Sequence, residues 1–90
     1  MSDGRVPGGP SGESAVEVLD VTGLSCPLPV LRAKVTLGKM APGERLRVLA
    51  TDPYSVMDFE AFCEKTGHRL LARSEMDGVF QFDLARRDEG

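Results

Sequence analysis

The sequence holds no tryptophan, one tyrosine, one histidine and two cysteines in 90 residues. Each scarcity excludes something. Two cysteines do not make the disulfide framework that staples small secreted domains, so a reduced, cytoplasmic setting is expected. No Cys-x2-Cys or His-x3-His spacing occurs, so Cys26, Cys63 and His68 are not read as a metal site. A Gly-rich phosphate loop and a Ser/His/Asp set are equally missing. No apolar run approaches the roughly 18 residues of a membrane span, and the opening residues lack the apolar centre of a signal peptide. Basic excess is absent too: 11 Lys and Arg stand against 14 Asp and Glu, a net charge of −3. A free-standing nucleic-acid binder would show a basic patch or stripe, so direct nucleic-acid binding is not expected.

Large apolar residues are also scarce over the first fourteen positions. Met1 to Ser14 contains four Gly, two Pro and three Ser, with only Met1 and Val6 as large apolar side chains. Such a segment cannot bury enough surface to offset its chain entropy, and a disordered tail is expected over 1–14. The expected domain spans 15–86, and 87–90 read as a short polar end. A core of that size is small but able to fold without staples.

Within 15–86 the patterning is regular. Glu17 to Val21 is rich in aliphatic and β-branched residues and reads as a strand. A helix is expected from Pro27 to Met40, with Val30, Ala33, Leu37 and Met40 on one face. Pro42-Gly43 stops it. Leu46, Val48 and Ala50 alternate with Arg45 and Arg47 in a second strand, Arg45 to Thr51. Asp52-Pro53 reads as the N-cap and first residue of a second helix. That helix runs to about Thr66, with Val56, Phe59, Phe62 and Cys63 inward and Gly67 as its left-handed stop. His68 to Ser74 and Val79 to Ala85 are strands joined at Asp77-Gly78, a hairpin signal. The order β-α-β-α-β-β, with one-sided strand patterns, predicts a two-layer α/β sandwich. Its sheet is mixed and four-stranded, with both helices on one face.

The chemistry concentrates in Gly23-Leu24-Ser25-Cys26-Pro27-Leu28-Pro29, which joins the first strand to the first helix. Proline suits a helix's first turn, where its missing N–H has no intrahelical partner. Cys26 is therefore expected at the N-cap or just before it. The helix's unpaired N–H groups and positive dipole end would then face its sulfur and favour the thiolate, the nucleophilic form. The competing reading of a lone cysteine is a small buried hydrophobe. Pro27 and Pro29 either hold the sulfur outward or simply start a helix. Leu28, Leu31 and Val35 lie away from the inward face. Either the helix is buried more widely than one stripe, or they form an apolar patch near Cys26, where Leu28 and Leu31 would dock a partner.

The chain resembles the TusA/SirA family of sulfur carriers. The likeness rests first on Leu19-Asp20-x-x-Gly23-Leu24-x-Cys26-Pro27-x-Pro29. It continues through Leu37, Met40, Gly43 and Leu46-x-Val48. Thr51-Asp52-Pro53, Asp58, Phe62-Cys63 and Gly67-His68 complete it. It implies a fold like the C-terminal domain of translation initiation factor 3. It also implies that Cys26 carries sulfur as a transient persulfide, with no other cofactor. The donor would be a cysteine desulfurase or a rhodanese, and the acceptor a protein with a reactive cysteine, such as a DsrE-like protein. The implied end uses are tRNA thiolation, molybdenum-cofactor maturation or sulfur oxidation. A monomer suits a carrier that docks with successive partners.

Other residues carry plainer expectations. Cys63 beside Phe59 and Phe62 reads as packed core, against the alternative of a resolving thiol for Cys26. His68 reads as structural, against acid–base help to Cys26. Asp20 and Asp58 match the family pattern, with no mechanism evident from sequence. Two rival functions follow: a thiol-redox protein using Cys26 with Cys63, or a non-catalytic binding or regulatory module.

Overall fold

The computed structural model describes residues 16–88. The expected tail, 1–14, and the last two residues of the polar end lie outside them. The elements are β1 (Val16–Asp20), α1 (Leu28–Gly38), β2 (Arg45–Ala50), α2 (Ser55–Thr66), β3 (Arg69–Met76) and β4 (Val79–Ala85). They form the predicted two-layer α/β sandwich. The sheet order is β1-β2-β4-β3. β1 and β2 pair in parallel, with Asp20 level with Leu49; β4 runs antiparallel to both β2 and β3.

The core forms where the patterning puts it. Ala33, Leu37 and Met40 of the α1 segment meet Phe59, Phe62 and Cys63 of α2 over Leu46, Val48, Phe82 and Leu84 of the sheet. Phe59 stacks on Phe82 with ring centres 4.8 Å apart. On the opposite sheet face, Arg47 donates to Asp83 across β2 and β4 at 2.9 Å. That face carries charge because no helix covers it.

Several boundaries differ from expectation, each for a local reason. α1 is shorter at both ends: Pro27 is its N-cap, and Lys39 and Met40 close it with i→i−3 bonds to Thr36 and Leu37. Such bonds tighten a last turn and satisfy carbonyls the helix leaves open. β1 starts one residue earlier and ends at Asp20, although Val21 still donates to Leu49 O at 2.8 Å. β2 stops at Ala50, one residue early. β3 starts at Arg69 and runs on to Met76, because Asp77 and Gly78 both take positive φ (52° and 82°). That two-residue turn lets pairing continue to Met76–Val79. Gly67, at φ 88°, ends α2 as predicted, its N–H donating to Cys63 O.

Candidate functional site

The parallel pairing of β1 and β2 delivers two loops side by side at one end of the sheet. Residues 21–27 follow β1 and residues 51–54 follow β2. In open α/β sheets, the carboxyl ends of parallel strands are where ligand sites gather.

The first loop is shaped by its own side chains. The Asp20 carboxylate accepts from Thr22 N–H at 2.9 Å and from Thr22 Oγ1 at 2.7 Å. These bonds hold its pKa below the ordinary carboxylate value. Gly23 then turns the chain at φ 83°, in the left-handed region that favours glycine.

The second loop clamps the first. Thr51 Oγ1 accepts from Gly23 N–H at 2.9 Å. Asp52 Oδ2 accepts from Cys26 N–H, while Oδ1 accepts from Tyr54 N–H at 3.0 Å. Asp52 is therefore not the N-cap of α2, which is Tyr54. The Asp52-Pro53-Tyr54 turn separates the aspartate from the helix. Both of its oxygens serve the loops, one bonding its own turn and the other fixing the backbone of Cys26.

Cys26 is an exposed, free thiol. It precedes the Pro27 N-cap through a cis peptide bond. The expected thiolate-favouring helix terminus is not what surrounds it. Pro27 and Pro29 have no N–H, and Leu28 N–H is spent on Ser25 O at 2.9 Å. The prolines that start the helix thus remove two of the donors its first turn would offer an anion. Asp58, one turn into α2, lines the same inter-helix groove as Cys26. The Asp58 carboxylate is the leading influence on the thiol, and the charge of Asp52 adds to it. Together with some desolvation they push the Cys26 pKa above its ordinary value.

Two grooves meet at Cys26. The wider, about 670 Å³, runs between the loops and is lined by Leu24, Cys26, Thr51, Pro53 and Tyr54 among others. The narrower, about 250 Å³, lies between the helices, lined by Cys26, Pro27, Val30, Asp58, Phe62 and Lys65 with Ala61. Of the expected supporting residues, Pro27 lines this groove and Gly23 the wider one, whereas Pro29 is buried in the core. Leu28 and Leu31 are 46% and 47% exposed, with Val35 more so. The helix is therefore not buried more widely, although none of the three lines either groove at Cys26.

Cys63 and His68 stand apart from this chemistry. Cys63 is buried to 7% exposure, and desolvation pushes its thiol up to about 11. His68 packs on Phe62, and its Nδ1 accepts from Arg87 N–H at 3.0 Å. Among the described residues, no group of three or more His, Cys, Asp or Glu side chains is placed to hold a metal ion. No helix among them is long and apolar enough to cross a membrane.

The loop linking β1 to α1 with a CPxP start, in this strand order, invites comparison with known proteins. The sulfurtransferase TusA family profile matches residues 17–85. The chain belongs to the TusA family. A Neisseria meningitidis protein provisionally named a sulfur carrier is 64% identical over 64 residues, covering 71% of this chain and 86% of its own. The sulfur carrier protein TusA of Allochromatium vinosum is 55% identical over 64 residues, covering 71% of this chain and 84% of its own. The fold agrees as well. A solved SirA-like protein from Desulfitobacterium hafniense superposes with a TM-score of 0.71 at 26% identity, covering 82% of this chain and 100% of that one. Within this TusA family member, sequence reasoning did not foresee that Asp58 would line a groove with Cys26 or that Asp52 would hold the Cys26 backbone. The echo of Cys26-Pro27 in Asp52-Pro53, each between a parallel strand and the helix that follows it, is the signal that pairs the loops.

Proposed function

We propose that this TusA family member is a sulfur carrier that accepts sulfur as a persulfide on Cys26 and passes it to a cysteine of an acceptor protein. The observation that carries this reading is an exposed free thiol, fixed by two loops and open to two grooves, in a chain of this family. In loading, Cys26 Sγ attacks the outer sulfur of a donor persulfide after losing its proton to solvent. A Sγ–S bond forms, the donor's S–S bond breaks, and the donor leaves as a thiolate. In unloading, an acceptor thiolate attacks the outer sulfur, and Cys26 leaves as the thiolate and is reprotonated. Both steps are exchange at sulfur, with no net oxidant or reductant.

A cysteine desulfurase or a rhodanese suits the donor role, and a protein with a reactive cysteine, such as a DsrE-like one, the acceptor role. Leu28 and Leu31, exposed on the turns of α1 nearest Cys26, are the proposed docking patch for these partners. A reduced compartment, the cytoplasm, and a monomeric state suit the same role. The thiol-redox alternative needs Cys63 as a resolving thiol, and burial of Cys63 counts against it.

Intact-protein mass spectrometry tests the reading after incubation with a cysteine desulfurase plus cysteine, or a rhodanese plus thiosulfate. Wild type and Cys63→Ala are expected to gain one sulfur atom, and Cys26→Ala none. Loading of Cys26→Ala, or of no protein from either donor, overturns it.

A further inference from the structure

Sulfur exchange asks more of Cys26 than exposure. The incoming sulfur must meet Sγ in a defined direction, at a separation of about 3–3.5 Å. On a loop, that direction is set by whatever holds the backbone beside the side chain. The loop's own bonds supply part of the hold: Leu24 N–H donates to Val21 O at 3.2 Å and Leu28 N–H to Ser25 O at 2.9 Å. Neither involves the Cys26 N–H. That group donates to Asp52 Oδ2, across 26 positions of chain. The nitrogen is bonded to Cα, so fixing its N–H restrains the direction of Cα–Cβ as well. A carboxylate acceptor also makes this bond stronger than the one that Gly23 N–H donates to the Thr51 hydroxyl, three residues earlier.

Asp52 is itself held at both oxygens. Its Oδ1 accepts from Tyr54 N–H at 3.0 Å, so the carboxylate cannot turn without giving up one of its two bonds. Tyr54 is the N-cap of α2, is 65% exposed and lines the wider groove with Cys26. One carboxylate therefore ties the residue that bears the sulfur to the start of the second helix, and both ends of the tie line the same groove.

We propose that Asp52 is a positioning residue for sulfur transfer: by holding the Cys26 N–H and the Tyr54 N–H on one carboxylate, it aims Sγ into the groove between the loops, where the partner's sulfur arrives. The inference rests on the carrier reading and assigns a residue to the rate of its transfer step. Asp52 acts through the Cys26 backbone and touches no reacting sulfur. Its removal lowers the rate of transfer from a docked donor and leaves docking unchanged.

The test is single-turnover sulfur transfer from a persulfide-loaded cysteine desulfurase to the full chain, over a range of carrier concentrations. Asp52→Ala should lower the maximal rate about tenfold or more, with the half-saturating concentration within about twofold of wild type. Asp52→Asn, whose amide keeps one acceptor oxygen for two N–H groups, should fall between them, and it carries the test if Asp52→Ala does not fold. Leu28→Ser should show the reverse split, a raised half-saturating concentration with a maximal rate near wild type. Circular dichroism verifies folding.

Two further readings separate aim from general damage. Iodoacetamide needs no docking and should alkylate Asp52→Ala at least as fast as wild type, since removing a nearby negative charge favours the thiolate. The Cys26 amide should lose its protection from hydrogen exchange in Asp52→Ala. An unchanged maximal rate in the folded variants, a rise in half-saturating concentration alone, or alkylation that falls in step with transfer overturns the positioning role. If the carrier reading failed instead, wild type itself would take up no sulfur, while the Cys26 amide would still separate it from Asp52→Ala.

Discussion

Cys26 and Cys63 carry the same atom into opposite circumstances. Cys26 sits on a loop that hydrogen bonds from the neighbouring β2–α2 loop hold in place, with its thiol exposed. Cys63 sits in the last turn of α2, packed into the aromatic core. Both thiols are less acidic than usual, but for different reasons. At Cys26 the leading cause is a carboxylate, and carboxylates can be neutralised by a partner. At Cys63 the cause is desolvation, which no docking event relieves. The same direction of shift therefore has different causes at the two sites. Reactivity cannot be inferred from the shift without its cause.

The contrast between rim and core extends along α1 and gives the largest expected effect. Leu37 is fully buried and Leu28 is half exposed on the same helix. Leu37→Ala should cost about 2–5 kcal/mol in urea unfolding, through lost burial and the cavity left behind. Leu28→Ser should leave stability within about 0.5 kcal/mol yet slow sulfur transfer from a protein donor. Unchanged transfer in folded Leu28→Ser removes the docking patch.

The two cysteines themselves should separate next. Cys63→Ser places a hydroxyl in an apolar site and should cost about 1–3 kcal/mol. Cys26→Ser should change unfolding by no more than about 0.5 kcal/mol, while abolishing sulfur uptake. Equal costs at both positions would mean that Cys63 is not packed as described.

The smallest effect is a pH dependence. The folded-state pKa of Cys63, about 11, lies above its ordinary value of 9.0. Its un-ionised thiol therefore contributes stability that is complete below the ordinary value and lost as pH rises through about 11. The stability difference between wild type and Cys63→Val should shift against wild type between pH 9 and 11. Unfolding measured across that window in both proteins checks it.

Much of this was legible in the sequence because the patterns were local. Alternation in Leu46, Val48 and Ala50, the helical spacing of Ala33, Leu37 and Met40, and the Asp77-Gly78 turn each depend on residues a few positions apart. Gly67 and the burial of Cys63 follow the same logic. The site was legible only in part. Cys26 could be picked out from CPxP, but its electrostatics could not, because Asp52 and Asp58 reach it across 26 and 32 positions of chain. Such contacts exist only once β1 and β2 have paired. One miss was local and avoidable: two prolines in a first turn announce missing N–H donors as clearly as they announce a helix start. The N-cap of α2 was misplaced because an aspartate before proline can bond its own turn and a distant loop instead of a helix end.

The level pairing of Asp20 with Leu49 has a consequence for how this chain can vary over time. Entropy puts little price on one extra residue in a surface loop. Here, however, two loops of fixed length must arrive together, one bringing the Cys26 N–H and the other the Asp52 carboxylate. An insertion in either would leave the domain folded and the sulfur adrift from its clamp. Between the ends of β1 and β2 and the starts of the helices, the count of residues is therefore under tighter constraint than most of their identities.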